Sequence, residues 1–218
     1  MNTSTRPFSK FSASFVALFA SILAATPVHA HHLMDGKTAS TAFEGFMSGL
    51  AHPVIGVDHL VMIVAIGILA AAMRPGFLLA AAFVVAAMAG TGLHLLNFNL
   101  PGSELLVAFS VVAVGSLLVL RRTLSPGLVV AICAVAGVLH GYAYGESIFG
   151  AETTPLTAYL VGFTVVQLAV AGAAYAIAKG LREKAPDQAF SLRPAGFVVA
   201  GAGLALLATQ VLALTFPI

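Results

Sequence analysis

Apolar residues run almost unbroken through six stretches of the chain: 54–73, 77–98, 104–120, 128–144, 155–178 and 196–216. Each is about 17 to 24 residues long, enough for an α-helix to cross roughly 30 Å of hydrocarbon with some tilt. None shows the short alternation of polar and apolar positions that a transmembrane barrel needs. The pattern predicts an all-α, polytopic helical membrane protein with six spans. A shorter stretch, 38–51, precedes them. Gly45 and Gly49 weaken it as a helix, while Phe43, Phe46, Met47 and Leu50 give it one apolar face. It reads as a short amphipathic or re-entrant helix leading into His52. Pro53 then suits the first turn of the first span, where its missing N–H costs nothing.

Residues 1–30 have the form of a secretory signal. Arg6 and Lys10 make the basic start, 11–25 the apolar stretch, and Val28-His29-Ala30 a small-x-small cleavage site. An uncleaved anchor helix is the alternative, although the apolar stretch is short for a span. Cleavage leaves one transmembrane domain, 31–218, that begins with His31 and His32. A free α-amine beside two imidazoles can capture metal outside the membrane; the plainer reading is an ordinary polar terminus.

Composition agrees with the pattern: 60% of the 218 residues are hydrophobic and 8% charged, against about 25% charged in soluble domains. The chain's surroundings are a lipid bilayer, and no basic stripe with interleaved aromatics points to nucleic acid. The single cysteine, Cys133, lies in an apolar run, can form no intrachain disulfide, and reads as a small core residue. The placement of charge says more than its total. Arg74, Arg121, Arg122, Lys179, Arg182, Lys184 and Arg193 all follow odd-numbered spans, whereas Lys37 alone lies on the other side. The positive-inside rule makes the first side cytoplasmic and puts the mature N-terminus and the C-terminus outside.

With that orientation the polar residues fall at one level. His52, Asp58 and His59 open the first span, and His94 and His140 sit near the outer ends of theirs. At 1.5 Å per residue, His59, His94 and His140 lie roughly 6 to 8 Å below the outer surface. Glu104 and Glu146 mark the same ends, with Glu152 in an outer loop, and the cytoplasmic halves of the spans hold no acid or histidine. Ionisable groups at such depth are costly unless paired or ligated, so the cluster points to function. The competing reading is hydrogen bonding between helices at a wet interface. Interhelical bonding suffices for Gln167 and Gln210, and Met62 reads as packing. Gly137, Gly141 and Gly145 line one helix face and let a neighbouring backbone approach. His140 and Tyr144, also four apart, share a neighbouring face.

Imidazole with carboxylate suits nickel, cobalt, zinc or copper(II), whereas calcium and magnesium prefer oxygen alone. Spacing sets a limit. His52 and His59 would stand about 10 Å apart along a regular helix, too far to grip one ion. Either the chain unwinds near Gly56, or the two serve successive positions on a path. Asp58 and His59 point about 100° apart, so a shared site needs ligands from other spans, His94 and His140 first among them.

The motif HPVIGVDH at 52–59 resembles the HPxxGxDH pattern of the HupE/UreJ family of nickel/cobalt permeases. The likeness continues through Met62 and Gly67, through Pro101-Gly102-Ser103-Glu104 with Ser110, and through LHGYAYGE at 139–146. A signal followed by histidines is also typical, and the resemblance covers nearly the whole mature chain. Many members carry histidine where this chain has Tyr144, which bears on metal preference. The resemblance implies uptake of nickel or cobalt, with zinc open, as cargo and not as a prosthetic group.

Transport is thus the expected function. Ions would collect at the outer histidines, shed water at Asp58, His59 and His140, and leave inward. Nothing matches GxxxxGK[ST], so this chain does not use ATP. The membrane potential supplies about 4.6 kcal/mol per 100 mV for a divalent ion, from about 2.3 per charge. Proton coupling through Asp58 or Glu146 is a further option. The rival is an intramembrane zinc hydrolase in which His52, Asp58, His59 and His140 activate a water. A non-transporting scaffold would tolerate alanine at every histidine. The sequence leaves a homo-oligomer open.

Overall fold

The computed structural model describes residues 38–74, 76–120, 124–184 and 193–216. The expected signal at 1–30 lies outside them, as do His31, His32, Arg121 and Arg122. Among the described residues the chain is all helix: α1 (Ala42–Ile55), α2 (Val57–Ala72), α3 (Phe77–Leu95), α4 (Ser103–Val119), α5 (Pro126–Glu146), α6 (Thr153–Lys184) and α7 (Arg193–Thr215). The helices α3, α5, α6 and α7 are long and apolar enough to cross a membrane. Together α1 and α2 make a fifth candidate, bent by 79°. The apolar helix α4 has only 17 residues, about 25 Å of rise. Each of the six expected stretches holds a helix, but 54–73 is broken at Gly56, α3 stops at Leu95 short of 98, and α6 runs past its expected end at 178 to Lys184.

Local signals set the helix starts. Thr41 and Glu44 form a reciprocal capping box at α1, each side chain accepting from the other's backbone N–H at 3.2 Å. Ser125 caps α5 with Pro126 in its first turn. Gly102, at φ 69°, makes the left-handed turn into α4.

One expectation about α1 needs correction, and its apolar face turns outward. Phe43 and Met47, on its apolar face, are exposed, and the buried face is Gly45, Ser48, Gly49, His52 and Pro53. In a bilayer, apolar side chains gain nothing by leaving lipid for protein, whereas small residues let backbones close up. A Cβ on Gly49 would lie 2.2 Å from the Tyr159 carbonyl oxygen, and one on Gly162 2.4 Å from that of Phe46, so α1 and α6 meet backbone to backbone. Pro53 lies inside the last turn of α1, not, as expected, the first turn of the next helix. The break falls at Gly56, whose N–H still closes on His52 O at 3.1 Å before the chain turns extended.

The other helices pair as α3 with α5, α4 with α7 and α2 with α6. The glycine face of α5 works as expected: a Cβ on Gly141 would stand 1.9 Å from the Ala87 carbonyl oxygen of α3. Between the helices lies an apolar core holding Met62, Ile66, Phe83, Val111, Val114 and, fully buried, Cys133. Arg182 donates to Ala71 O and Arg193 to Val119 O, so both cations sit on the carboxyl ends of α2 and α4. Arg182 and Arg193 therefore share one end of the bundle. The histidines gather toward the other.

Candidate metal site

The break at Gly56 builds the site. It folds His52, near the end of α1, back over His59 in the first turns of α2, and their ring centroids come within 5.5 Å. Of the two arrangements the spacing allowed, the unwound one is present. Gly56 has an ordinary extended conformation, so space and not backbone freedom demands glycine there. A Cβ would meet His59 Cδ2 at 2.6 Å and Asp58 Oδ1 at 3.1 Å. Asp58 Oδ1 accepts from the His59 N–H at 2.9 Å, and Oδ2 lies 4.0 Å from His59 Nδ1. The carboxylate is 16% exposed while the histidine beside it is 1% exposed.

The remaining donors come from α5 and α4. His140 and Tyr144 are fully buried on the face of α5 toward α2, as their spacing predicts. The Nδ1 atoms of His59 and His140 are 2.8 Å apart. The Tyr144 ring lies 4.4 Å from that of His59 and 5.4 Å, edge on, from that of His52. Ser110 Oγ on α4 is 3.1 Å from His140 Nε2 and donates to Val107 O at 2.7 Å. Phe83 of α3 and Phe163 of α6 close the sides against His140 and Tyr144. Tyr159 and Ser147 fix the end of α5, each donating to Tyr144 O at 3.0 Å.

Three expected ligands stand apart. His94 lies against Tyr142 and Phe149, at 4.7 and 5.7 Å between ring centroids. Glu104 accepts from Gln210 Nε2 at 3.2 Å, an α4–α7 contact. Glu146 ends α5 exposed to the surroundings. Gln167 bonds within its own helix, to Phe163 O, and not across helices as expected. The residue that spacing missed is Ser110, which the sequence marked only through the family resemblance and as a polar position inside an apolar run.

Imidazoles, a carboxylate and a phenol thus converge from α1, α2 and α5, with a serine from α4 behind them. Among the described residues, no three histidine, cysteine or acidic side chains are already splayed to hold one ion. His59 and His140 bond each other, so an ion would have to enter between partners that now satisfy one another.

The HupE / UreJ protein family model matches residues 18–206. The chain belongs to the HupE/UreJ family. A curated relative, Protein HupE of Rhizobium leguminosarum bv. viciae, is 29% identical over 168 residues, 75% of this chain and 85% of the relative. No solved structure matches. This HupE/UreJ chain is a multi-pass helical membrane protein, and the motif by which the sequence resembled the family is the one folded at the Gly56 break.

Proposed function

We propose that the chain is a secondary transporter that takes up a divalent transition metal, nickel or cobalt, along a path through His52, Asp58, His59 and His140. The observation that carries this reading is the convergence of those residues with Tyr144 at one end of a bundle that is otherwise apolar. Buried imidazoles and a carboxylate suit a borderline divalent ion, and family membership favours nickel and cobalt over zinc. A transported ion must be released, which fits ligands that bond one another between passages. His31, His32, His94, Glu104 and Glu146 serve as outer collecting groups on this reading.

The proposed topology has six spans, counting α2 and the short α4, with α1 as a re-entrant element before them. The end bearing Arg182 and Arg193 is cytoplasmic, and the histidines open outward. The inside-negative potential then draws the cation in, at roughly 2.3 kcal/mol per charge per 100 mV. The test is uptake of labelled nickel, cobalt and zinc into proteoliposomes carrying the purified protein under an inside-negative potential. Accumulation of nickel or cobalt above protein-free vesicles is expected. Failure of all three ions to enter would sink the transport reading.

A further inference from the structure

We infer that Gln167 is the station at which the ion leaves the histidine cluster: its side-chain oxygen is the next donor inward, one helical turn beyond the rings. This rests on the transport reading and adds a step to the path. Gln167 lies on the face of α6 that carries Phe163 one turn before it and Ala171 one turn after, all three buried. Both neighbours are tied to the interior. The ring centroids of Phe163 and Tyr144 are 5.7 Å apart, and those of Tyr144 and His59 are 4.4 Å apart. A Cβ on Gly67 of α2 would stand 2.3 Å from Ala171 O. Gln167 therefore lies between the level of the rings and the level of Gly67. It stands roughly 6 Å along the helix from Phe163, toward the end that carries Arg182 and Arg193. Because α2 and α6 run the same way, the register that sets Gly67 against Ala171 sets the apolar Ile63 against Gln167.

The amide uses one of its two ends. Nε2 donates to Phe163 O at 3.1 Å, and since a carbonyl can only accept, that contact identifies the nitrogen branch. The bond also turns the amide back toward the ring cluster. Oε1 is buried and accepts from no group among the described residues. A buried oxygen left unpaired weakens a protein, and leucine would fill much the same space without that cost. The oxygen's chemistry suits a departing ion. It is neutral, and a lone amide oxygen holds nickel or cobalt more loosely than imidazole with carboxylate does. An ion can therefore step onto it and still be given up. Buried residues beyond it toward the basic end, Ile66, Leu69, Ala70, Ala171 and Ala178, are all apolar.

Two measurements on the same variants test this: nickel uptake by proteoliposomes, and thermal unfolding of the purified protein without metal. Gln167→Leu should lower the maximal uptake rate about tenfold or more. Its half-saturating nickel concentration should stay within about twofold of wild type, because entry to the histidines is untouched. The same variant should melt about 2 to 4 °C higher, since the unpaired oxygen is gone. Gln167→Glu keeps a side-chain oxygen at the same place and should retain at least about a third of the wild-type rate. A wild-type rate in Gln167→Leu would overturn the inference and leave the transport reading standing. A slower rate accompanied by a lower melting temperature would overturn it too, because the loss would then be one of packing. So would a Gln167→Glu protein as slow as Gln167→Leu. If the wild type itself moves no metal, the transport reading fails and this inference falls with it.

Discussion

His140 and His94 are expected at one depth from the sequence, and in the structure they meet opposite surroundings. His140 is fully buried, with both ring nitrogens in hydrogen-bond contact, to His59 and to Ser110. His94 is half-buried between aromatic rings, and its Nδ1 has no hydrogen-bond partner among the described residues. The faces of α5 explain the difference. His140 and Tyr144 look toward α2, whereas Gly141 and Gly145 look toward α3, where a Cβ on Gly145 would meet His94 Cβ at 2.5 Å. His94 packs level with Gly145, about 7.5 Å beyond His140 along α5 and on its other face, so level and rotation together keep it from the cluster.

The largest expected effect breaks the comparison outright. His140→Ala or His59→Ala should lower initial metal uptake about a hundredfold or more, since a buried nitrogen ligand is lost and its partner is orphaned. Asp58→Asn should do nearly as much. The amide oxygen can still accept from the His59 N–H, so the fold at the break persists while the attracting charge goes. His94→Ala should keep uptake within about threefold of wild type. Initial rates per molecule of inserted protein decide it. Equal losses at His94 and His140 would mean that the path runs through the aromatic niche as well.

Much of this was legible in the chain. Apolar runs of membrane length marked the helices, and four-residue spacing put His140 and Tyr144 on one face. The part that misled was α1. Its large apolar residues gave it one apolar face without saying which way that face turns; in lipid Phe43 and Met47 point outward and the glycines pack. Nor does sequence fix where a helix carrying Pro53 breaks, because proline near a carboxyl end can be absorbed by the last turn. Only the 79° bend after it brings two histidines seven positions apart within 5.5 Å. His94 stands apart from the cluster for a related reason: with no packing partner known, its level and rotation against α5 were undetermined.

A second experiment sharpens the contrast by moving one ring without removing it. Gly56→Ala puts a methyl 2.6 Å from His59 Cδ2, a distance that real contacts do not sustain, so the ring or the backbone must shift. The extended conformation at 56 suits alanine, so the chain should still fold and insert. Uptake should fall about tenfold or more, since a misplacement of about an ångström at a ligand site is expensive. Gly92→Ala, two positions before His94, meets nothing within 4 Å. It should leave uptake unchanged and stabilise α3 by up to about 1 kcal/mol. A normal rate in Gly56→Ala would detach His59 from the path.

The smallest expected effect concerns Tyr144, where many relatives of this family carry histidine. Its hydroxyl is buried and has no hydrogen-bond partner among the described residues, an arrangement that costs about 1–3 kcal/mol in a protein interior. Its ring nonetheless touches both His52 and His59, and Tyr159 and Ser147 hold its carbonyl in place. A costly phenol kept among imidazoles suggests an oxygen donor for the ion in transit. Tyr144→His would replace that oxygen with nitrogen. It should preserve uptake while raising the nickel-to-cobalt rate ratio about two- to fivefold, because nickel gains more than cobalt from each added nitrogen ligand. The smaller ring leaves room beside Phe163, so a modest loss of thermal stability should accompany the change. Tyr144→Phe separates packing from ligation, since it keeps the ring and removes only the hydroxyl. If the hydroxyl ligates, Tyr144→Phe slows uptake of both ions while raising stability slightly. If both variants take up nickel and cobalt in the wild-type ratio, and Tyr144→Phe also keeps the wild-type rate, the residue is a wall of the site, and the ion's donors are the imidazoles and Asp58 alone.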